Sequence, residues 1–386
     1  MEVILKKGKE RAVLLGHSWI FSGAVEHAEA EDGGIVCVKS HKGEILGFGY
    51  YNSRSQIRVR ILSYGKTPFT IDHLRALIMR SFDRRKNNPF LESTNAWRAV
   101  FSEGDFLPGL IIDNFNGHLV AQFLTLGMDR LKGEILGILE KDINALSLYE
   151  RSDYSGRKLE GLADSNGQLL GNTPDEIEIS EHEIQYPVDV KHGQKTGFFL
   201  DQRENRLLIK NISSGKKVLN LFSYSAGFTF AAITGGAVST RSVDASRHAT
   251  EAAERIYALN GFSAPSQFIT SDAFDFARNE TIDEDLIIID PPAFAKSRND
   301  VDNACRGYKD INMQVIGKAK PGTYILTCSC SRFIDASLFQ KVIFSAVTDA
   351  KKQAQIIRKT GHPADHPVNI AVPETEYLKG ILLRVL

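Results

Sequence analysis

The second half of the chain predicts a doubly wound, mostly parallel α/β sheet, and three observations carry that fold class. Short apolar runs recur from Val218 onward, as VLNLF, TRSVD, QFIT, DLIIIDPP and YILTCSC. Helical patterns separate them, so strand alternates with helix. Several runs end on chemistry-bearing residues: Asp244, Asp272, Asp290, and the pair Cys328 and Cys330. In such sheets ligands gather where strands give way to loops.

In chain order, the N-terminal part reads as β-rich. GIVCVKS, EILGFGYYN and QIRVRILSY alternate or are β-branched, with Gly and Ser between them, and suggest a small barrel ending near Tyr64. Leu74, Leu77, Ile78 and Phe82 share a helical face, which predicts a helix over Ile71 to Lys86, closed by Asn87–Pro89. GLIIDNF and HLVAQFLT flank Asn116-Gly117, a hairpin signal. A helix from Gly127 to Lys141 and further short strands complete a compact α+β unit. The expected domains are therefore β-rich at 1–70, α+β at 71–183 and α/β at 184–386.

Within the α/β part, VLNLFSYSAGFTFAAITGGA is a buried strand, a tight loop and a helix start. Phe222, Ser223, Tyr224, Ser225 and Ala226 form that loop, where such folds bind nucleotide-like ligands; an ordinary turn is the plainer alternative. Asp244, followed by Ala245, ends the second strand and suits the hydroxyls of a ribose, or caps the next helix. That helix carries Ala249, Ala252, Ala253, Ile256 and Leu259 on one face and stops at Asn260-Gly261. Asp272, with Ala273, follows the third strand and suits an adenine amino group, or again a helix cap. The fourth strand runs into Asp290, Pro291, Pro292, Ala293 and Phe294. The prolines lack amide hydrogens, which leaves nearby carbonyls to accept from a substrate base.

Composition sets limits. The chain has 386 residues, 42% apolar and 24% charged, which is material for two or three globular domains. Its net charge is zero, so any nucleic-acid binding rests on local patches. The start, MEVILKKGKERAVLLGHSWIF, has no apolar run long enough for a signal peptide, and no stretch approaches a membrane span. A cytoplasmic protein with no membrane partner is expected. Four cysteines, Cys37, Cys305, Cys328 and Cys330, make no secreted disulfide framework. Cys-x-Cys without a second Cys/His pair is a poor zinc site, so no metal is expected.

These strand-end residues resemble the class I S-adenosylmethionine-dependent methyltransferases, a Rossmann-like fold of seven strands with the last antiparallel; the closing VNIAVP and GILLRVL fit it. GHSWIFSGAV (Gly16 to Val25) looks like the start of an RNA-binding PUA domain. YERSD, HGQKTGFFLDQRENR, ACRGYKDIN, TCSCS, HPADHPVN and EYLKG resemble, in order, the bacterial 23S rRNA cytosine-C5 methyltransferases built as PUA domain, central α+β unit and methyltransferase domain. The resemblance implies that the first loop receives the methionine part of S-adenosylmethionine, Asp244 the ribose and Asp272 the adenine, while Asp290 to Phe294 face the target base. Phe198 and Phe199, with Gln202, are expected to cover the cofactor or base, packing being the alternative. The chain departs from the family at three places. Ala226 stands for a glycine, Ala293 for a lysine, with Lys296 or Lys309 as substitutes, and Arg332 for a glycine.

Cytosine carbon 5 is a poor nucleophile. A thiolate added at carbon 6 makes an enamine, and carbon 5 then attacks an electrophilic methyl. The resemblance implies Cys330 as that nucleophile; Cys328, deeper in the strand, reads as a small buried hydrophobe. Both share a face if the strand continues that far. Asp290 is the candidate partner for the base at N3 or N4. Arg54, Arg58 and Arg60 alternate near Trp19 and Phe21 and offer RNA contacts, or else a solvated strand face. The expected partner is RNA, as 23S rRNA or a ribosome assembly intermediate, with a homodimer left open. Two other readings stand beside this one: a guanine-N2 methyltransferase on the same fold, and a non-catalytic RNA-binding protein.

Overall fold

A computed structural model describes residues 1–193 and 195–386 of the chain. Its contacts divide into two compact units. The first comprises Met1–Glu181, Tyr186–Leu200 and Ala364–Thr375; the second comprises His182–Gln185, Asp201–Pro363 and Glu376–Leu386.

The first unit joins the segments expected as β-rich and α+β domains. A six-stranded sheet runs in the order Trp19–Phe21, Ile57–Tyr64, Ile45–Tyr51, Ile35–Lys39, Glu2–Leu5, Val25–Glu29. Val3, Leu5, Val36, Val38, Val59 and Ile61 close its core. The helix Ile71–Lys86 follows, with Thr70 accepting from the His73 amide as its N-cap. Next comes a five-stranded sheet, Ser165–Gly171, Ser147–Ser152, His118–Phe123, Leu110–Phe115, Ala96–Phe101. Asn116 and Gly117 turn its hairpin with φ of +51° and +88°; two successive left-handed residues match the twist of the flanking strands.

Three expectations in this unit are corrected. The helix expected over 127–141 breaks at Leu131 into Leu126–Arg130 and Lys132–Ile138, then widens over Leu139–Ile143. VNIAVP is not a strand but a segment of turns within the first unit. Arg58 and Arg60 alternate on the strand Ile57–Tyr64, but Arg54 does not share it. Arg54 sits in the bend before Ile57–Tyr64, Arg58 donates to the Asn52 carbonyl at 3.4 Å, and Arg60 is buried against Glu160 at 2.9 Å. Arg60 is therefore neither a solvated face nor an open RNA contact.

Buried charge ties the late segment 364–375 into this unit. Arg85 makes two 2.7 Å bonds to Asp105 and donates to the Asp365 carbonyl at 2.8 Å. The Asp365 carboxylate accepts from the Arg98 amide at 2.9 Å, while the Arg98 side chain is bidentate to Asp113. Each buried ion has its partner, as burial requires.

The second unit is the doubly wound sheet. Its strands are β1 (Lys217–Leu221), β2 (Ser239–Asp244), β3 (Ser266–Thr270), β4 (Leu286–Ile289), β5 (Tyr324–Ser329), β6 (Ala354–Thr360) and β7 (Lys379–Val385). Its helices are α1 (Arg203–Ile212), α2 (Gly227–Thr234), α3 (Arg247–Leu259), α4 (Ala273–Asn279), α5 (Val301–Lys318) and α6 (Ala336–Asp349). The order is β3-β2-β1-β4-β5-β7-β6, parallel except for β7, which runs antiparallel to β5 and β6. The Rossmann-like expectation holds, with β6 taken from AQIIRKT rather than VNIAVP.

The apolar strands are apolar because both faces are covered. In β4, Ile287 and Ile289 join the core that holds Phe276, Tyr308 and Phe339, while Leu286 and Ile288 join that of Leu208, Ile209 and Phe228. All four are fully buried, and each contributes about 1.5–3 kcal/mol of transfer free energy. This packing fixes where β1, β4 and β5 end, and so where their loops begin.

Candidate active site

The loop after β1 is the most contorted backbone in the unit. Phe222, Tyr224 and Ala226 all have left-handed φ, at +59°, +48° and +62°. Each such residue costs roughly 1–2 kcal/mol without glycine, and such strain collects at functional sites. Three backbone donors hold the loop. The Ser223 amide reaches the Val243 carbonyl at 3.0 Å, the Tyr224 amide the Asp244 carboxylate at 2.8 Å, and the Ala226 amide the Ser223 carbonyl at 2.8 Å. Ser225 is half-buried at the turn, and Ala226 is wholly buried. Among the described residues the buried Ser223 hydroxyl has no hydrogen-bond partner.

Asp244 uses one carboxylate oxygen on Tyr224 and the other on the Ser246 amide at 2.9 Å. The cap of α3 is Ser246, not Asp244. Each Asp244 oxygen therefore keeps lone-pair capacity. Ala245 is exposed beside it. Asp272 does cap its helix: it accepts from the amides of Phe274 and Asp275 through a single oxygen, Oδ1, at 2.8 and 3.0 Å. Ala273 is buried at the first position of α4.

Asp290 follows β4. Its Oδ1 accepts from Gln202 Nε2 at 2.9 Å, and Gln202 Oε1 accepts from Asn205 at 2.6 Å. Gln202, expected at the cofactor, thus orients the Asp290 carboxylate. Asp201, beside it, accepts through Oδ2 from the Tyr377 hydroxyl at 2.8 Å.

The two cysteines have different settings. β5 ends at Ser329, so Cys328 lies in the strand and Cys330 lies past it. The same-face condition therefore fails. Cys328 is fully buried among Leu326, Leu382 and Phe228. Burial first, then Asp290, push its thiol well above the ordinary value, so it stays protonated. Cys330 is half-buried, its Sγ 4.0 Å from the Pro291 carbonyl.

Ser331 fastens this turn to the Asp290 loop. Its fully buried hydroxyl accepts from the Ala295 amide at 3.1 Å and bonds the Tyr308 hydroxyl at 3.0 Å. Burial pushes the Tyr308 phenol up to about 12. Phe294 lies 4.6 Å from the Tyr308 ring and 6.0 Å from Phe274, so it packs as much as it faces outward. Pro291 is buried and Pro292 exposed.

Lys379, on β7 opposite Ser329, was not singled out from the sequence as a site residue. Its Nζ donates to the carbonyls of Ser331 and Tyr377, both at 2.7 Å. Burial lowers it to about 8, against the opposing pull of Cys330, Glu376 and Asp335. EYLKG contains it, but nothing local announces that strand pairing carries it to the cysteine turn.

Other expected residues lie elsewhere. Lys309 pairs with Asp349 at 2.6 Å, at the far end of α6 from the cysteine turn, so it does not replace the lysine missing at Ala293. Phe198 is buried on Tyr186 within the first unit, ring centroids 4.8 Å apart. Phe199, also in the first unit, holds the Lys195 ammonium 4.3 Å from its ring centre. Gln194 of the same motif lies outside the described residues. Among the described residues no cluster of His, Cys, Asp or Glu suits a metal ion, and no helix is long and apolar enough to cross a membrane.

Comparison with known proteins agrees with this geometry. Residues 3–64 match the PUA-like domain family, and residues 158–367 match a family described as S-adenosylmethionine-dependent methyltransferase. The chain is 39% identical over 391 residues to ribosomal RNA large subunit methyltransferase I of Aeromonas salmonicida (strain A449), covering 99% of this chain and 98% of that protein. It is 37% identical to the protein of the same name from Klebsiella pneumoniae (strain 342), covering 100% and 98%. Among solved structures, SMU.776, described as a methyltransferase complexed with SAH, superposes with a TM-score of 0.87 at 26% identity over the whole of both chains.

Proposed function

Because the chain belongs to the S-adenosylmethionine-dependent methyltransferases, and among them to the ribosomal RNA large subunit methyltransferase I family, we propose that it methylates carbon 5 of a cytosine in large-subunit rRNA through a covalent adduct at Cys330. One observation carries the carbon-5 chemistry. A half-buried thiol stands past the end of β5, 4.0 Å from the Pro291 carbonyl, in a turn that Ser331 fastens to the loop of Asp290. A guanine-N2 transfer has no use for that thiol.

The residues present fit S-adenosylmethionine. The unpartnered Ser223 hydroxyl lies in the strained loop, and Asp244 offers acceptor capacity beside it. Phe222 to Ala226 would hold the methionine part, Asp244 the ribose and Asp272 the adenine side. When bound, the cofactor supplies a methyl group on a positively charged sulfur, electrophilic toward carbon 5.

The rest falls to the chain. Cys330, as thiolate, forms a bond to carbon 6, and the electron pair of the carbon 5–carbon 6 double bond becomes available at carbon 5. Asp290, held by Gln202, accepts from the N4 amino group of the base or, as the acid, donates its proton to N3, where it offsets the negative charge that the addition develops. Once carbon 5 carries its methyl, it loses its proton to a water molecule. The electron pair re-forms the double bond, and the carbon–sulfur bond breaks to return the thiolate. The base must leave its stack for this, and its unstacking accounts for part of the selectivity. Arg54, exposed, and Arg58, half-buried, are the proposed RNA contacts in the first unit.

The test is methyl transfer to large-subunit rRNA from cells lacking the gene, with the product mapped by mass spectrometry. Cys330→Ala is expected to abolish formation of 5-methylcytosine while leaving cofactor binding intact. Transfer that survives in Cys330→Ala would sink the adduct, and a methylguanine product would point to the amino-group chemistry.

A further inference from the structure

Lys379 is an unusual lysine. It is 6% exposed, yet among the described residues no carboxylate lies within ion-pair distance of it. Its two partners are the neutral carbonyls of Ser331 and Tyr377. An ammonium has three donors, so one remains without an acceptor among the described residues. Buried charges are normally paired, because an isolated ion loses its hydration with no return. The missing element is an anion, and the carbonyl that Lys379 grips belongs to the residue after Cys330.

We propose that Lys379 is the counter-charge of the Cys330 thiolate, a positioning residue that both fixes the cysteine turn and keeps its sulfur ionised. The inference rests on Cys330 being the nucleophile. In the resting protein the S–H bond of Cys330 breaks and its proton passes to solvent, while Lys379 keeps its own protons. When the sulfur bonds to carbon 6 it becomes a neutral thioether. When that bond breaks again, the ammonium stabilises the departing thiolate.

The surroundings leave this role to Lys379. Cys328 and Tyr308 are held protonated by burial. Asp290 is engaged by Gln202, Asp335 caps α6, and Glu376 acts on Lys379 only at a distance. Arg332, next along the turn, is exposed to solvent. With Lys379 lowered to about 8, ammonium still outnumbers amine roughly tenfold at pH 7. An opposite charge at close range lowers an acid's titration point by about one to three pH units.

Alkylation of Cys330 by iodoacetamide, followed against pH on the peptide that carries it, tests this in the full chain. The expected midpoint lies below about 8.5, the ordinary value for cysteine. Lys379→Met is expected to raise it by about one unit or more and to slow alkylation at pH 7 about tenfold, with Lys379→Arg restoring most of the rate. A folded Lys379→Met protein with the parent's midpoint overturns the proposal. So does a midpoint of 8.5 or higher in the parent, which needs no variant. The alkylation midpoint and methyl transfer by Cys330→Ala fail independently: the first judges the pairing, the second the adduct.

Discussion

Replacing Ser331 with Ala isolates the contact that holds the cysteine turn against the Asp290 loop. The hydroxyl receives two buried groups, the Ala295 amide at 3.1 Å and the Tyr308 hydroxyl at 3.0 Å. Their losses differ. Tyr308 also has Ser329 within reach, so its hydroxyl keeps an acceptor and loses little. Among the described residues the Ala295 amide bonds only the Ser331 hydroxyl, and a buried donor left unsatisfied costs about 1–3 kcal/mol. The Lys379 bond to the Ser331 carbonyl is untouched, because alanine keeps its backbone. The expected penalty is thus about 2 kcal/mol, concentrated at one amide. Hydrogen exchange should show the peptide containing Ala295 opening about 30-fold more readily, since each 1.4 kcal/mol is tenfold. Turnover should fall about ten- to a hundredfold, as displacement of a nucleophile does. Unchanged exchange at Ala295, or a stability change under about 0.5 kcal/mol, would refute the view that one hydroxyl couples the two loops.

Other outcomes follow from the same geometry. Asp244→Ala frees the Tyr224 amide and removes the acceptor proposed for the ribose; calorimetric titration should show S-adenosylmethionine binding weakened about tenfold or more. Ala226→Gly relieves about 1–2 kcal/mol of left-handed strain, but it forfeits a buried methyl worth about 0.8 kcal/mol and adds unfolded-chain entropy of about 0.4–1 kcal/mol. Urea unfolding should find the variant within about 1 kcal/mol of the parent. Gln202→Leu should lower turnover while leaving cofactor affinity near normal, because Gln202 bonds Asp290; a selective loss of cofactor affinity would restore it to the cofactor site. The Cys328 thiol is pushed well above its ordinary value, so above about pH 9 the unfolded chain releases that proton first and stability falls with rising pH. The difference in stability between parent and Cys328→Ala should shrink by about 1.4 kcal/mol per pH unit there and be flat below pH 8.

Local rules sufficed where local forces decide. The helix Ile71–Lys86 has the bounds its apolar face predicts, and Asn116-Gly117 makes the hairpin its backbone preferences require. The strand-end acids were legible because buried strands are apolar, so that an acid at their end stands out. What failed depended on distant partners. Arg60 reads as a surface residue until Glu160, a hundred positions on, is brought to it. Lys309 reads as a spare active-site lysine until α5 and α6 pack and Asp349 claims it. VNIAVP has the composition of a strand, but Asp365 just before it is bound to Arg85 and Arg98 in the first unit, so AQIIRKT takes the edge of the sheet. Lys379 needed the antiparallel register of β5 and β7, which no periodicity within EYLKG encodes.

The excursion of Ala364–Thr375 into the first unit has a consequence for how the molecule is made. A ribosome delivers the chain from its N-terminus, yet the first unit lacks the Asp365 carbonyl that accepts from Arg85 until residue 365 has emerged. β7, which joins β5 to β6, comes later still. Neither unit is a contiguous stretch, so no single cut yields both intact. The two reach completion almost together, and a nascent chain stalled before residue 364 carries both unfinished.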